Sequence, residues 1–161
     1  MSFFGINSPR AMLEKAEWNY AQFKADPTIY RLADFFISAY HIQDYIEKDQ
    51  PDTKAPPWLR AFTDQRDIKD CRDLCDVSKH YKLTYKGRVT PETFTLTGEV
   101  CGAEIGVLEV GAGDKWVMTT AGNREIDVIW LADRVMQKWR ELFVKQGLLQ
   151  PQLTVTAAPS P

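Results

Sequence analysis

Two histidines occur in this chain, and each sits in a compact polar cluster: Tyr40-His41-Ile42-Gln43-Asp44 and Asp76-Val77-Ser78-Lys79-His80. At helical pitch His41 shares a face with Asp44, and Asp76 shares one with His80. Two such helices packed antiparallel would gather two imidazoles, two carboxylates and an ammonium at one seam. Three kinds of chemistry fit that set. In acid–base work Asp76 would orient His80 and keep it basic, while Lys79 or Arg72 steadies developing negative charge. As metal ligands, His41, Asp44, Asp76 and His80 would supply two nitrogens and two oxygens from facing helices. The usual Glu-x-x-His pairing is missing and His41-x-x-Asp44 reverses its order, so neither a metal nor a cofactor is expected. As a polar network, the cluster would fix helix register or form a partner site, with Asp44 and Lys79 as binding residues. A plain His–Asp hydrogen bond within each helix is the simplest alternative to all three.

The elements that must carry these residues are legible from their ends and periods. Ser8 can cap a helix whose first residue is Pro9 and whose apolar positions are Met12, Leu13, Ala16, Tyr20 and Phe23, running to about Lys24. Asp26-Pro27 reads as the start of a second helix, broadly apolar from Ile29 to Ile46 and therefore central. The prolines of Asp49 to Pro57 make a loop. A third helical region covers Trp58 to about Tyr81, broken near Thr63-Asp64, with Ile68, Cys71, Leu74, Cys75 and Ser78 on one side. After Tyr81 the period falls to 2, as in Thr93-Phe94-Thr95-Leu96-Thr97, with Gly111 to Asp114 reading as a hairpin turn, so three or four antiparallel strands are expected to Thr120. Asn123 would cap a last helix to about Gln146, seamed by Ile129, Ala132, Met136, Trp139 and Phe143 and ended by Gly147. Trp18, Trp58 and Trp139 fall at core-like spacing. Trp130 falls with Arg134, Gln137 and Glu141 on the polar side, as a contact residue or one buried under the strands.

The expected class is therefore α+β: mainly a helical bundle with an inserted antiparallel β-meander before a long C-terminal helix. The expected globular domain is 1–149, with helices at about 8–81, strands at about 82–120, a helix at about 123–146, and a flexible tail at 150–161. At 161 residues and 44% hydrophobic the chain suits one core rather than two, and 12% aromatic content argues against disorder. A net charge of −2 with interspersed signs disfavours duplex DNA. No long apolar run suggests a membrane span and no leader pattern opens the chain, so a cytoplasmic location is expected. Three cysteines at irregular spacing read as buried apolar residues rather than a metal set. Phosphate-loop, G-x-G-x-x-G, H-E-x-x-H and G-x-S-x-G patterns do not occur.

Tyr40-His41-x-x-Asp44 on one helix and Asp76-x-x-Lys79-His80 on a later one, followed by strands and a helix bearing Trp139, resemble a group of uncharacterised prokaryotic proteins. More distantly, the helical part is similar to HEPN domains, helical bundles of toxins, ribonucleases and defence proteins. Catalytic HEPN members carry an Arg, about four to six residues, then a His on one helix. That resemblance implies Arg72 and His80 as catalytic, with Asp76 and His41 beside them. Here seven residues separate Arg72 from His80, which turns the side chains about 80° apart and spaces them about 12 Å along the axis. The resemblance thus supports the scaffold better than the activity.

Two functions are carried forward. The first is a non-catalytic interaction or accessory protein of a prokaryote or its phage, with a protein partner or self-association and a His/Asp cluster between helices. The second is a HEPN-like, metal-independent ribonuclease or toxin component, with RNA as the partner and Lys69, Arg72, Lys79, Lys82, Lys86 and Arg88 as its only local basic concentration.

Overall fold

The Ser8 hydroxyl accepts a hydrogen bond from the Ala11 N–H at 3.1 Å, and Pro9, with no N–H to satisfy, opens helix α1, Pro9–Ala25. This computed structural model describes residues 5–50, 55–79, 91–95, 117–120 and 124–149. Helix α2, Ile29–Lys48, starts later than Asp26-Pro27 suggested. Its cap is Thr28, whose hydroxyl takes the Arg31 N–H at 3.2 Å. Asp26 instead ends α1, its own N–H reaching the Gln22 carbonyl, while its carboxylate pairs with Arg31 at 2.6 Å. Helices α3, Pro57–Thr63, and α4, Arg66–Lys79, meet at the expected break.

Helix α5, Val128–Lys145, is capped by Asp127 rather than by Asn123, which lies outside the described residues. Asp127 Oδ1 accepts from the Ile129 and Trp130 N–H groups, each at 3.0 Å. The helix ends in a Schellman turn: Gly147 adopts φ 67°, Leu148 N–H returns to the Phe143 carbonyl, and Gly147 N–H to that of Val144. A β-carbon at Gly147 would meet no neighbour, so conformation rather than space favours glycine there.

The core sits where α2 meets α1, α4 and α5. Phe35, Phe36, Ala39, Ile42 and Ile46 of α2 are fully buried, against Ala16 and Phe23 of α1, Ile68 and Cys71 of α4, and a stripe on α5 from Val128 to Phe143. Trp139 packs against Phe62 at a tilt of 53°, ring centroids 4.5 Å apart, which ties short α3 to α5. Cys71 and Cys75 are buried on the apolar side of α4, as their spacing suggested, whereas Cys101 lies outside the described residues.

The expected α+β class with an inserted meander is overturned. Helices of 17, 20, 7, 14 and 18 residues dominate the described chain, against strands of five, four and three. Among the described residues, the interval 82–120 contributes only β1, Pro91–Thr95, and β2, Val117–Thr120. The remaining short strand, β3, Glu125–Asp127, falls where helix was expected, and it pairs antiparallel with β2 through Met118↔Ile126. Strand β2 also pairs with β1 through Phe94↔Met118. The described residues are mainly helical, with a minor strand annex at the foot of α5. Alternation of Thr with apolar residues measures fit to a pleated surface; it does not fix how many strands find partners. The Gly111–Asp114 turn and the 150–161 tail lie outside the described residues. Among those residues, no helix is long and apolar enough to cross a membrane.

Candidate interaction surface

His41 and Asp44 meet as their spacing requires, with Nδ1 and Oδ2 2.6 Å apart and both side chains half-buried. The Tyr40 ring lies 5.8 Å from the imidazole. His80 lies outside the described residues, and so does its meeting with His41 or Asp76. Lys79 is the last residue of α4, and Asp76 is half-buried three residues earlier. Arg72 turns to its neighbour Asp73, placing Nε and Nη2 at 3.0 and 2.8 Å from the same carboxylate oxygen. Within the described residues no three of His, Cys, Asp and Glu converge as a metal set.

Several of the remaining charges fasten helices together. Asp133 of α5 accepts from the Tyr20 hydroxyl at 2.7 Å and from Lys24 at 3.1 Å. Burial first, then the Asp133 carboxylate, pushes the Tyr20 hydroxyl up to about 12. Arg140 reaches Glu17 of α1 at 2.7 Å, and Lys138 reaches Gln65 at 2.7 Å. Trp130 is 62% exposed, and its ring is covered by the Arg134 guanidinium 4.7 Å from the centroid, which Asp67 of α4 anchors at 2.7 Å. An aromatic face, a guanidinium and a carboxylate thus form one stack on the α5 surface.

A different arrangement occupies the α1–α2 face. Trp18, Asn19, Gln22, Arg31 and Asp34 line a groove of about 200 Å³, far beyond the roughly 10–15 Å³ that one water needs. Trp18 was expected to pack inside, yet it is 63% exposed. It lies about 200° around the helix from Ala16, off the stripe that Met12, Leu13, Ala16 and Phe23 define. Asn19 does fall in that stripe and is only 8% exposed. Its Nδ2 donates to the Asp34 carbonyl at 3.1 Å and to Ser38 Oγ at 2.9 Å. A carbonyl can only accept, so this contact fixes the amide orientation and leaves Asn19 Oδ1 without a donor among the described residues.

The Asp34 carboxylate likewise has no partner among the described residues. Arg31 is already committed, to the Asp26 carboxylate and to the carbonyls of Gln22 and Asp26 at 3.3 and 3.0 Å. Tyr30, one turn before Asp34 on the same helix face, is 80% exposed. Sequence reasoning missed this surface. Its signal was a polar Asn19 inside an apolar stripe, opposite Ser38 in the apolar stripe of α2. Comparison with protein-family models, curated proteins and solved structures finds no match to this chain.

Proposed function

We propose that this is a non-catalytic interaction or accessory protein that docks a protein partner on the α1–α2 face. The observation that carries this reading is the outward placement of Trp18 on the groove, with exposed Tyr30 one turn before Asp34 of its lining, on helices whose other large apolar side chains, Ile29 apart, are buried or half-buried. Exposed aromatic rings forfeit burial energy in the isolated chain and recover it when a partner covers them, which is why they concentrate where partners bind. The engagement of Arg72 by Asp73 also favours this reading over a ribonuclease, because a catalytic guanidinium must reach the scissile phosphate.

The test compares wild type with a Trp18→Ala/Tyr30→Ala double variant of unchanged melting temperature. A protein captured from cells of the source organism and then purified should bind wild type and lose affinity for the double variant. Equal binding to both would refute the α1–α2 face. Cleavage of single-stranded RNA by the purified protein, lost on Arg72→Ala, would replace the interaction reading with the ribonuclease one.

A further inference from the structure

The geometry points to the α1–α2 groove as a receptor for an arginine side chain of the partner protein. This inference rests on the interaction reading and names the chemistry that the surface takes. The molecule supplies its own template. At Trp130 the exposed indole face is occupied by Arg134, 4.7 Å from the ring centroid, and Asp67 holds that guanidinium at 2.7 Å. The groove repeats two of these three parts. Among the described residues, Trp18 offers an exposed indole that no cation covers, and Asp34 offers a carboxylate without a counter-charge. The third part is missing from the groove.

Arg31 does not supply it, although it lines the same groove, because Asp26 and two backbone carbonyls hold its guanidinium. Asn19 adds a second acceptor: its Oδ1 has no donor among the described residues, and its side chain is held in place by Ser38 Oγ and the Asp34 carbonyl. An indole face, a carboxylate and a fixed amide oxygen together match a planar cation with several N–H donors. Arginine fits that description better than lysine, whose compact ammonium is strongly hydrated and cannot stack. The incoming guanidinium would lie over Trp18 and donate to Asp34 and Asn19 Oδ1.

The test is an NMR titration of the full-length, ¹⁵N-labelled protein with the capped peptide acetyl-Gly-Arg-Gly-amide. Its lysine and citrulline counterparts serve as comparisons, citrulline keeping the arginine shape without the charge. The arginine peptide should shift the Trp18 indole N–H and the Asn19 side-chain NH₂ saturably, leaving the Trp130 indole signal in place. Lysine should bind more weakly, and citrulline should give no saturable shift. Asp34→Asn, whose exposed carboxylate contributes little to folding, should weaken arginine binding by about three- to tenfold. The inference is overturned if arginine leaves both signals unmoved, if citrulline moves them as far, or if Asp34→Asn binds arginine as wild type does. A partner that needs Trp18 and Tyr30, combined with a silent arginine titration, would remove the arginine chemistry and keep the docking face. Saturable arginine binding without loss of partner affinity in the Trp18→Ala/Tyr30→Ala variant would do the reverse.

Discussion

Arg124, immediately before β3, grips Asp70 of α4 with two guanidinium nitrogens, Nη1 lying 3.1 Å from Oδ2 while Nη2 bonds Oδ1. Asp70 is buried, so this pair pins the strand annex to the helical core. Removing the arginine would leave a buried carboxylate without this partner, whereas removing both groups would not. Arg124→Ala should therefore cost about 1–3 kcal/mol in urea unfolding, discounted because the arginine itself is half-exposed. Arg124→Ala combined with Asp70→Ala should recover part of that loss. A double variant no more stable than Arg124→Ala would show that the pair does not fasten the annex.

Tyr20 gives the protein a stability decline at high pH. Its hydroxyl bonds Asp133 at 2.7 Å, and burial together with that carboxylate raises it from the ordinary 10.0 to about 12. In the unfolded chain the phenol ionises near its ordinary value, while the folded protein keeps its proton. The stabilisation is whole below about pH 10 and is lost as pH rises through about 12. Tyr20→Phe should cost about 0.5–1.5 kcal/mol at neutral pH. Its stability should then fall less steeply than that of wild type above pH 10. Parallel declines in denaturant titrations across this range would contradict the assignment.

Cys71 and Cys75 are fully buried, and burial first, then neighbouring Cys75, holds the Cys71 thiol well above its usual range. The thiolate is the reactive form, so both thiols should react slowly with a disulfide reagent in the native protein. In a Cys101→Ser background, two thiols should react rapidly once denaturant unfolds the chain. Fast labelling without denaturant would mean that α4 opens readily from the core.

His41 and Asp44 are close but half-exposed, and water screens such a pair. His41→Ala should change unfolding free energy by less than about 0.5 kcal/mol. A loss above about 1.5 kcal/mol would instead make His41 a member of a buried network.

Local signals explain what could be read in advance. Ser8-Pro9 and Gly147 carry their meaning in one or two residues, and the structure uses them as the cap of α1 and the Schellman turn of α5. The break between α3 and α4 and the His41–Asp44 contact also need only helix geometry. Thr28 displaced Asp26 as the α2 cap because Asp26 found a competing partner in Arg31, a choice made by nearby structure. Strand placement differed for a related reason: pairing is a long-range property, and β3 pairs through a segment whose acids also suit the start of a helix. The groove was hidden because it belongs to two helices at once. Trp18 looked like core by its spacing, and Asp34 looked like any solvated acid until Asn19 and Ser38 set the distance between their helices.

The central claim, that the α1–α2 face is where a partner docks, is tested most directly by site-specific photo-crosslinking in cells. The comparison places the same photoreactive residue at Tyr30, beside the groove, or at Val144, an exposed apolar position near the end of α5. The account predicts a discrete crosslinked partner from position 30, diminished by Asp34→Asn and absent from position 144. A partner captured equally at both positions, or only at position 144, would contradict it.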